Sequence, residues 1–357
     1  MKILMVSKLD EEVGGVASYT KTLIKNLKDN KADIRAIELE ELFKIDGDII
    51  HIQHEPLLYS LPISVLFPLI IVILKLIRRK PIILTFHGVM DLGEIRKFAF
   101  ENKFYFPSIL IRLTLFLMFR ILIAFSNIVI VHTPSFKKNL ISHYYSNVKK
   151  IRVIPHGIWK HNSVSKDVAK KKLGLENQKI IFTLGYLAKH KNIEGLIHAF
   201  KKIEGDNIKL IIGGEIPPRF VGDPNYEQYV SNLKSYANSN IIFPGYIPYK
   251  LLSLYFACSD FFIIPHKRRV SASGPLCRAL GYGIPVIGAE QNVLKPYIPE
   301  SNIFRDMEAA ISAIKENKID IERSTRWSKR LRKRFSWDNI AKLTLRVYEE
   351  VYNKSSR

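Results

Sequence analysis

Short apolar runs alternate with longer stretches of helical periodicity along most of this chain. Residues 2–6, 49–53, 82–86, 128–132 and 151–154 are such runs, and they read as strands. Residues 16–27 place Val16, Tyr19, Leu23, Ile24 and Leu27 on one helical face. Runs that are apolar without alternation are buried on both sides. The pattern therefore predicts a parallel sheet covered by helices on either face. It then restarts. Strands are expected at 180–184, 209–212, 241–243, 261–264 and 285–287, and helices near 193–202, 226–237 and 249–257. The polar, lysine-rich segment 161–179 predicts a linker, and 336–352 a final amphipathic helix capped by Ser336. The expected fold is α/β, with two Rossmann-like, doubly wound domains at 1–160 and 161–335 and with 336–357 crossing back toward the first. Such a tandem places a ligand cleft between the domains, at the carboxyl ends of the strands.

The loops that follow the strands carry the candidate chemistry. Val13-Gly14-Gly15-Val16 offers two glycines before a helix, which lets the backbone approach a ligand closely. His51-Ile52-Gln53-His54-Glu55, Thr85-Phe86-His87-Gly88, Val131-His132-Thr133-Pro134 and Val153-Ile154-Pro155-His156-Gly157 put histidine at four strand ends expected on one rim. A lone histidine there reads as a packed turn residue; four together read as a site. Ser273-Gly274 opens a helical segment that Gly281 and Gly283 stop. Free N–H groups and the helix dipole make such a turn a diphosphate cradle, although an ordinary strand–turn–helix connection has the same pattern.

The chain has 357 residues, 47% hydrophobic and 25% charged, enough for two ordinary cores and too apolar for disorder. Cys258 and Cys277 lie in apolar or helical segments without metal-ligand spacing, and read as reduced core thiols of a cytoplasmic protein. The apolar run at residues 1–6 is too short for a signal peptide. A formal net charge of +22 admits nucleic acid, an anionic membrane surface or an anionic small substrate as partner. Neither zinc-finger spacing nor an aromatic RNA-binding signature is present, so nucleic acid is set aside. Two long apolar stretches, 57–77 and 104–125, are interrupted by Pro62, Pro68 and Lys75 and by Arg112 and Arg120. They predict helices packed on a sheet rather than membrane-spanning ones. Plain core burial is one reading; their basic flanks favour an apolar face dipping into an anionic membrane.

Taken in order, these motifs resemble the family 4 retaining glycosyltransferases of the GT-B fold. Gln53-His54-Glu55 with the Ser-Gly turn most resembles the mannosyltransferase-like branch. The resemblance runs over nearly the whole length, through Gly14-Gly15, His87-Gly88, Pro155-His156-Gly157, residues 185–191 and 273–286, and Phe335-Ser336-Trp337. It implies that the second domain binds a nucleotide diphosphate sugar, with GDP or UDP as the nucleotide, and the first a hydroxyl acceptor. It implies donor contacts from Gly15, Gly185, Tyr186, Lys191, His266, Ser273, Gly274, Pro275, Leu276 and Arg278. Acceptor contacts would come from His54, Glu55 and His87, with His87 and Lys191 catalytic. The family often carries Gly-Arg where this chain has Gly185-Tyr186, and two glutamates where it has Val270 and Arg278. Lys267, Arg268 or Arg269 then stand as replacement cations.

The resemblance implies a retaining, metal-independent transfer of a hexose of mannose or glucose type to a lipid-linked or glycan hydroxyl, without a cofactor. No Asp-x-Asp motif follows a strand. Lys191 and the amides at Ser273-Gly274 would stabilise the leaving phosphates. The competing expectation is a non-catalytic GT-B subunit that binds a nucleotide or a partner protein, and it rests on Tyr186, Val270 and Arg278. The expected location is the cytoplasm, or the cytoplasmic membrane face as a peripheral protein.

Overall fold

The computed structural model describes residues 1–9, 15–55, 58, 61–89, 91, 93, 107–161, 164–203, 205, 207–266, 273–289 and 295–355. The chain divides into two compact units, one of Met1–Gly157 with Trp337–Arg357 and one of Ile158–Ser336. Each is a doubly wound α/β layer structure around a parallel sheet of six strands.

In unit 1 the strands are β1 (Lys2–Val6), β2 (Asp33–Ile37), β3 (Ile49–His54), β4 (Ile82–Phe86), β5 (Ile128–Val131) and β6 (Ile151–Val153), in the order β2-β1-β3-β4-β5-β6. The edge strand β2 is absent from the sequence expectation. Its Asp33 and Arg35 face solvent, so the apolar run that marks a central strand is missing. The helices α1 (Gly15–Asp29), α2 (Leu61–Arg78), α3 (Ser108–Phe125) and α4 (Pro134–Tyr144) cover the sheet. Both long apolar stretches are thus helical over Leu61–Arg78 and Ser108–Phe125. They drive Phe67, Ile71, Leu74, Phe119 and Leu122 into one core with β3, β4 and β5. Among the described residues no helix is long and apolar enough to cross a membrane. The last helix, Trp337–Ser355, lies beside α1. Asn30 Nδ2 donates to Asp338 Oδ1 at 2.9 Å, and Arg152 Nη2 donates to both Glu350 oxygens at 2.6 and 2.9 Å.

In unit 2 the strands are β7 (Lys179–Leu184), β8 (Ile208–Gly213), β9 (Ile241–Gly245), β10 (Phe261–Ile264), β11 (Val286–Ala289) and β12 (Ile303–Phe304), ordered β12-β11-β10-β7-β8-β9. Neighbouring side chains go to opposite faces: Ile180 and Phe182 join one core, Ile181 the other. The segment 161–179, expected to be a linker, contains helix α5 (Lys166–Leu173). Ser165 Oγ caps it by accepting from Val168 N, and Gly174 in the left-handed region ends it. Only Ala169 is buried, so no apolar stripe announced the helix. Lys166 and Lys170 hold it to Asp260, which also accepts the Ile180 N–H. Helices α6 (Ile193–Lys201), α7 (Pro224–Lys234), α8 (Tyr249–Cys258), α9 (Gly274–Tyr282), α10 (Met307–Lys315) and α11 (Ile321–Arg334) complete the unit. The chain enters at β7, builds β8 and β9 to one side, then β10 to β12 to the other. The carboxyl ends of β7 and β10 therefore border the point where strand order reverses, the usual ligand crevice of such sheets.

Candidate functional site

Four glycines, Gly185, Gly213, Gly214 and Gly245, pair through their backbones on this rim of unit 2. Gly185 N donates to Gly213 O at 2.9 Å, and Gly214 N to Gly245 O at 2.8 Å. Gly185 and Gly214 have φ of +136° and +135°, conformations that only glycine adopts without strain. A β-carbon on Gly214 would strike the Gly185 carbonyl, and one on Gly185 would strike the ammonium of Lys191. Lys191 closes the short turn Lys189–Lys191 that leads into α6. Its Nζ thus sits directly over the backbone at the end of β7. It makes no hydrogen bond or ion pair with any described residue. Burial lowers its pKa from 10.5 to about 8.

His266, just past β10, is 8% exposed, and its ring stacks on His190 at 6.3 Å. Burial first, then the charges of Lys191 and His190, push its pKa well below 6.5, so the ring is neutral. The first turn of α9 lies past the same strand end. Ser273 Oγ accepts from Leu276 N at 3.4 Å, and Pro275 has no N–H to offer. A β-carbon on Gly274 would meet open space. The Gly274 N–H has no acceptor among the described residues and carries the positive end of the helix dipole. Among the described residues, the Lys191 ammonium acts on a neutral imidazole at the end of β10, and the bare Gly274 amide opens the helix that follows; groups of this kind accept an anion.

Of the other residues singled out in unit 2, Tyr186 is half-buried next to Gly185, and Leu276 lies wholly in the core. Arg278, one turn into α9, stands with its guanidinium between the rings of Trp159 (4.3 Å) and Tyr249 (4.9 Å). It faces a separate cavity of about 350 Å³ lined also by His161 and Tyr282, and no described contact joins it to Lys191 or His266. Val270 and the candidate cations Lys267, Arg268 and Arg269 lie outside the described residues.

Three of the four strand-end histidines of unit 1, His87, His132 and His156, gather around Tyr19 of α1. The Tyr19 ring lies 4.8 Å from His87, 5.1 Å from His132, 5.1 Å from His156 and 5.1 Å from Trp337. His132 Nδ1–H donates to Ile154 O at 3.0 Å, so its Nε2, 3.2 Å from His87 Nδ1, accepts. Gln53 Oε1 lies 2.8 Å from His87 Nε2. A half-turn of that amide puts its N–H there, which a neutral His87 donating to His132 requires. Burial first, then His132 and the other histidines, hold His87 well below 6.5 and so neutral. Behind Gln53, His51 Nδ1 meets Tyr348 Oη at 2.6 Å, and His51 Nε2 meets Thr85 Oγ1 at 2.7 Å. Gln53, Tyr19 and Tyr348 had no assigned role from the sequence. Gln53 sits in a recognisable motif, whereas Tyr348 comes from the far end of the chain.

His54 requires a correction. Expected to face an acceptor, it is 3% exposed, with Phe67, Phe86 and Phe119 rings at 5.1, 5.3 and 6.4 Å. β3 is buried along its whole length, so its end residue turns inward. Glu55 follows it and is exposed. His87 is half-buried at the rim. Gly15 opens α1 with free space at its α-carbon, and Gly14 lies outside the described residues. Gly157 has a packing role: a β-carbon there would strike the Trp337 indole.

Residues 165–334 match the family described as Glycosyl transferases group 1, and residues 33–159 match Glycosyltransferase Family 4. A glycogen synthase of Mycoplasma mobile is 28% identical over 252 residues, covering 62% of this chain and 47% of that protein. An uncharacterized glycosyltransferase of Methanocaldococcus jannaschii is 26% identical over 243 residues, covering 62% and 59%. The chain thus spans about half the length of the curated relatives it matches. Among solved structures, Anabaena HepE in complex with UDP superimposes with a TM-score of 0.73 at 13% identity, over 98% of this chain and 100% of that one. This likeness shows the GT-B fold. Each unit thus matches a glycosyltransferase family model, unit 1 over residues 33–159 and unit 2 over residues 165–334.

Proposed function

We propose that the protein is a retaining, metal-independent hexosyltransferase that moves a mannose- or glucose-type sugar from a nucleotide diphosphate sugar to a hydroxyl. The observation that carries this reading is the Lys191 ammonium, placed over the Gly185 backbone at the strand-order switch without an anionic partner among the described residues. A diphosphate supplies the missing anion. Lys191 and the Gly274 N–H bind it, with Ser273 shaping the turn. In the reaction the bond from the sugar's anomeric carbon to the phosphate oxygen breaks, and its electron pair stays on the phosphate. The acceptor oxygen bonds to that carbon on the face the nucleotide leaves, and its proton passes to the leaving phosphate. Lys191 stabilises the charge that develops there.

UDP is supported as the donor nucleotide by its presence in the HepE complexes; GDP is the competing choice. In unit 1 the roles fall to His87, against the transferred sugar, and Glu55, toward acceptor hydroxyls of a glycan or lipid-linked carrier at an anionic membrane surface.

Incubation with labelled UDP-, GDP- and ADP-sugars, with and without candidate acceptors, tests the reading. Sugar release or transfer that Lys191→Ala suppresses is the expected result. A folded protein that neither hydrolyses nor transfers any of them, yet binds a nucleotide, is the non-catalytic subunit instead. Arg278 favours that second reading, since a cation held between two aromatic rings stands where the family carries a carboxylate.

A further inference from the structure

Helices α2 and α3 each have a face that their own unit leaves uncovered. On α2, Val65, Leu66, Leu69, Ile73, Leu76 and Ile77 are exposed, within about 120° of arc at the helical repeat. On α3, Ile109, Leu110, Leu113 and Leu117 are exposed in a similar stripe. The opposite faces of both helices enter the same core beneath, where Phe67 and Phe119 flank His54. The two stripes therefore point outward on one side of the sheet, and the helices pack against each other there. Tyr145, 73% exposed, extends the patch, its ring 6.2 Å from Phe116 and its carbonyl bonded to Arg120 Nη1.

A patch this large and apolar is rare on a protein that meets only water. Its charges say what covers it. Neither helix contains an acidic residue. Exposed Arg112 and Arg120 lie along α3, and exposed Arg79 follows α2, in a chain of net charge +22. Apolar side chains among cations match the boundary between acyl chains and anionic headgroups. With Phe67, Ile71 and Leu74 committed to the core, α2 has only its outer face to offer such a boundary and does not cross it.

We infer that the α2–α3 face of unit 1 docks the protein onto anionic lipid bilayers. This deepens the membrane part of the proposed reading, and its test involves no sugar chemistry. The full chain is sedimented with vesicles of phosphatidylcholine alone and of phosphatidylcholine mixed with phosphatidylglycerol. Binding to the mixed vesicles that weakens with salt is expected, falling tenfold or more in the double variant Leu69→Glu with Leu113→Glu. Both positions are exposed, so the fold is kept; unchanged nucleotide affinity of the variant, by calorimetry, confirms it. Arg112→Glu lowers binding to the mixed vesicles only. Equal binding by wild type and double variant, or none to the mixed vesicles, overturns the inference. So does light scattering that shows a dimer which the double variant makes monomeric, because a second copy then covers the face. A wild-type chain that hydrolyses donor but binds no mixed vesicles counts against docking alone; one that binds them but hydrolyses no donor counts against transfer alone.

Discussion

The ammonium of Lys191 occupies the space that a β-carbon on Gly185 would need. The two residues depend on each other: the glycine makes room, and the lysine brings charge onto exposed backbone. Lys191→Ala is expected to lower turnover by roughly ten- to a thousand-fold, the scale for one lost electrostatic stabiliser. Gly185→Ala is expected to match that loss with Lys191 still present. It also adds about 1–3 kcal/mol of backbone strain at φ +136°. Turnover and melting temperature of both variants check this, and near-normal turnover in either breaks the proposed dependence.

Nucleotide binding is expected to weaken in alkali. In the free protein burial holds Lys191 at about 8. A bound diphosphate favours the charged ammonium and raises that value in the complex. Affinity is therefore flat at low pH, where Lys191 is charged either way. It falls by at most about tenfold per pH unit above the free-protein value, until the complex itself loses the proton. Calorimetric titration with UDP across this range gives the profile. An affinity that stays level through pH 8, or a break that persists in Lys191→Arg, removes Lys191 as the anion's partner.

Much of this was legible because central parallel strands are uninterrupted apolar runs, and because functional loops follow such runs. The same property hid other parts. A strand buried on both sides gives no alternation from which to tell inward from outward positions. His54, read as facing a ligand, therefore turned out to face three phenylalanine rings. Helix α5 lacked a readable apolar stripe because it buries little beyond Ala169 and Leu173, and ion pairs to Asp260 help to hold it. Burial raises the Asp260 pKa, but Lys166, the Ile180 N–H and Lys170 outweigh it and leave the carboxyl below its usual value. Contacts such as His51 to Tyr348 join positions 297 apart, which no local pattern encodes.

The Pro155-His156-Gly157 and Phe335-Ser336-Trp337 motifs meet through packing. Trp337 lies on the Gly157 α-carbon and against the Tyr19 and His156 rings. Gly157→Ala is expected to cost about 1–3 kcal/mol by overpacking. Trp337→Ala is expected to cost about 3–5 kcal/mol by cavity formation. The double variant should cost less than the sum, since the cavity accepts the added methyl. Denaturant unfolding of the four proteins measures this, and strict additivity shows that the two residues do not press on each other.

The buried histidines of unit 1 are expected to make it acid-sensitive. Burial lowers His51 to about 3 and His54 to about 4; it also lowers His132 to about 4, partly opposed by the Ile154 carbonyl. In the unfolded chain each titrates near 6.5. Below that pH the unfolded state binds protons that the folded state refuses. The contribution is thus fully present above 6.5 and is lost as pH falls toward the folded values. Each histidine loses up to about 1.4 kcal/mol per pH unit in this window. His54→Leu isolates one of them, since its three phenyl neighbours accept an apolar side chain. Between pH 6.5 and one unit lower, wild type should lose up to about 1.4 kcal/mol more unfolding free energy than the variant. Equal losses in the two proteins would mean that His54 is not held neutral by its surroundings.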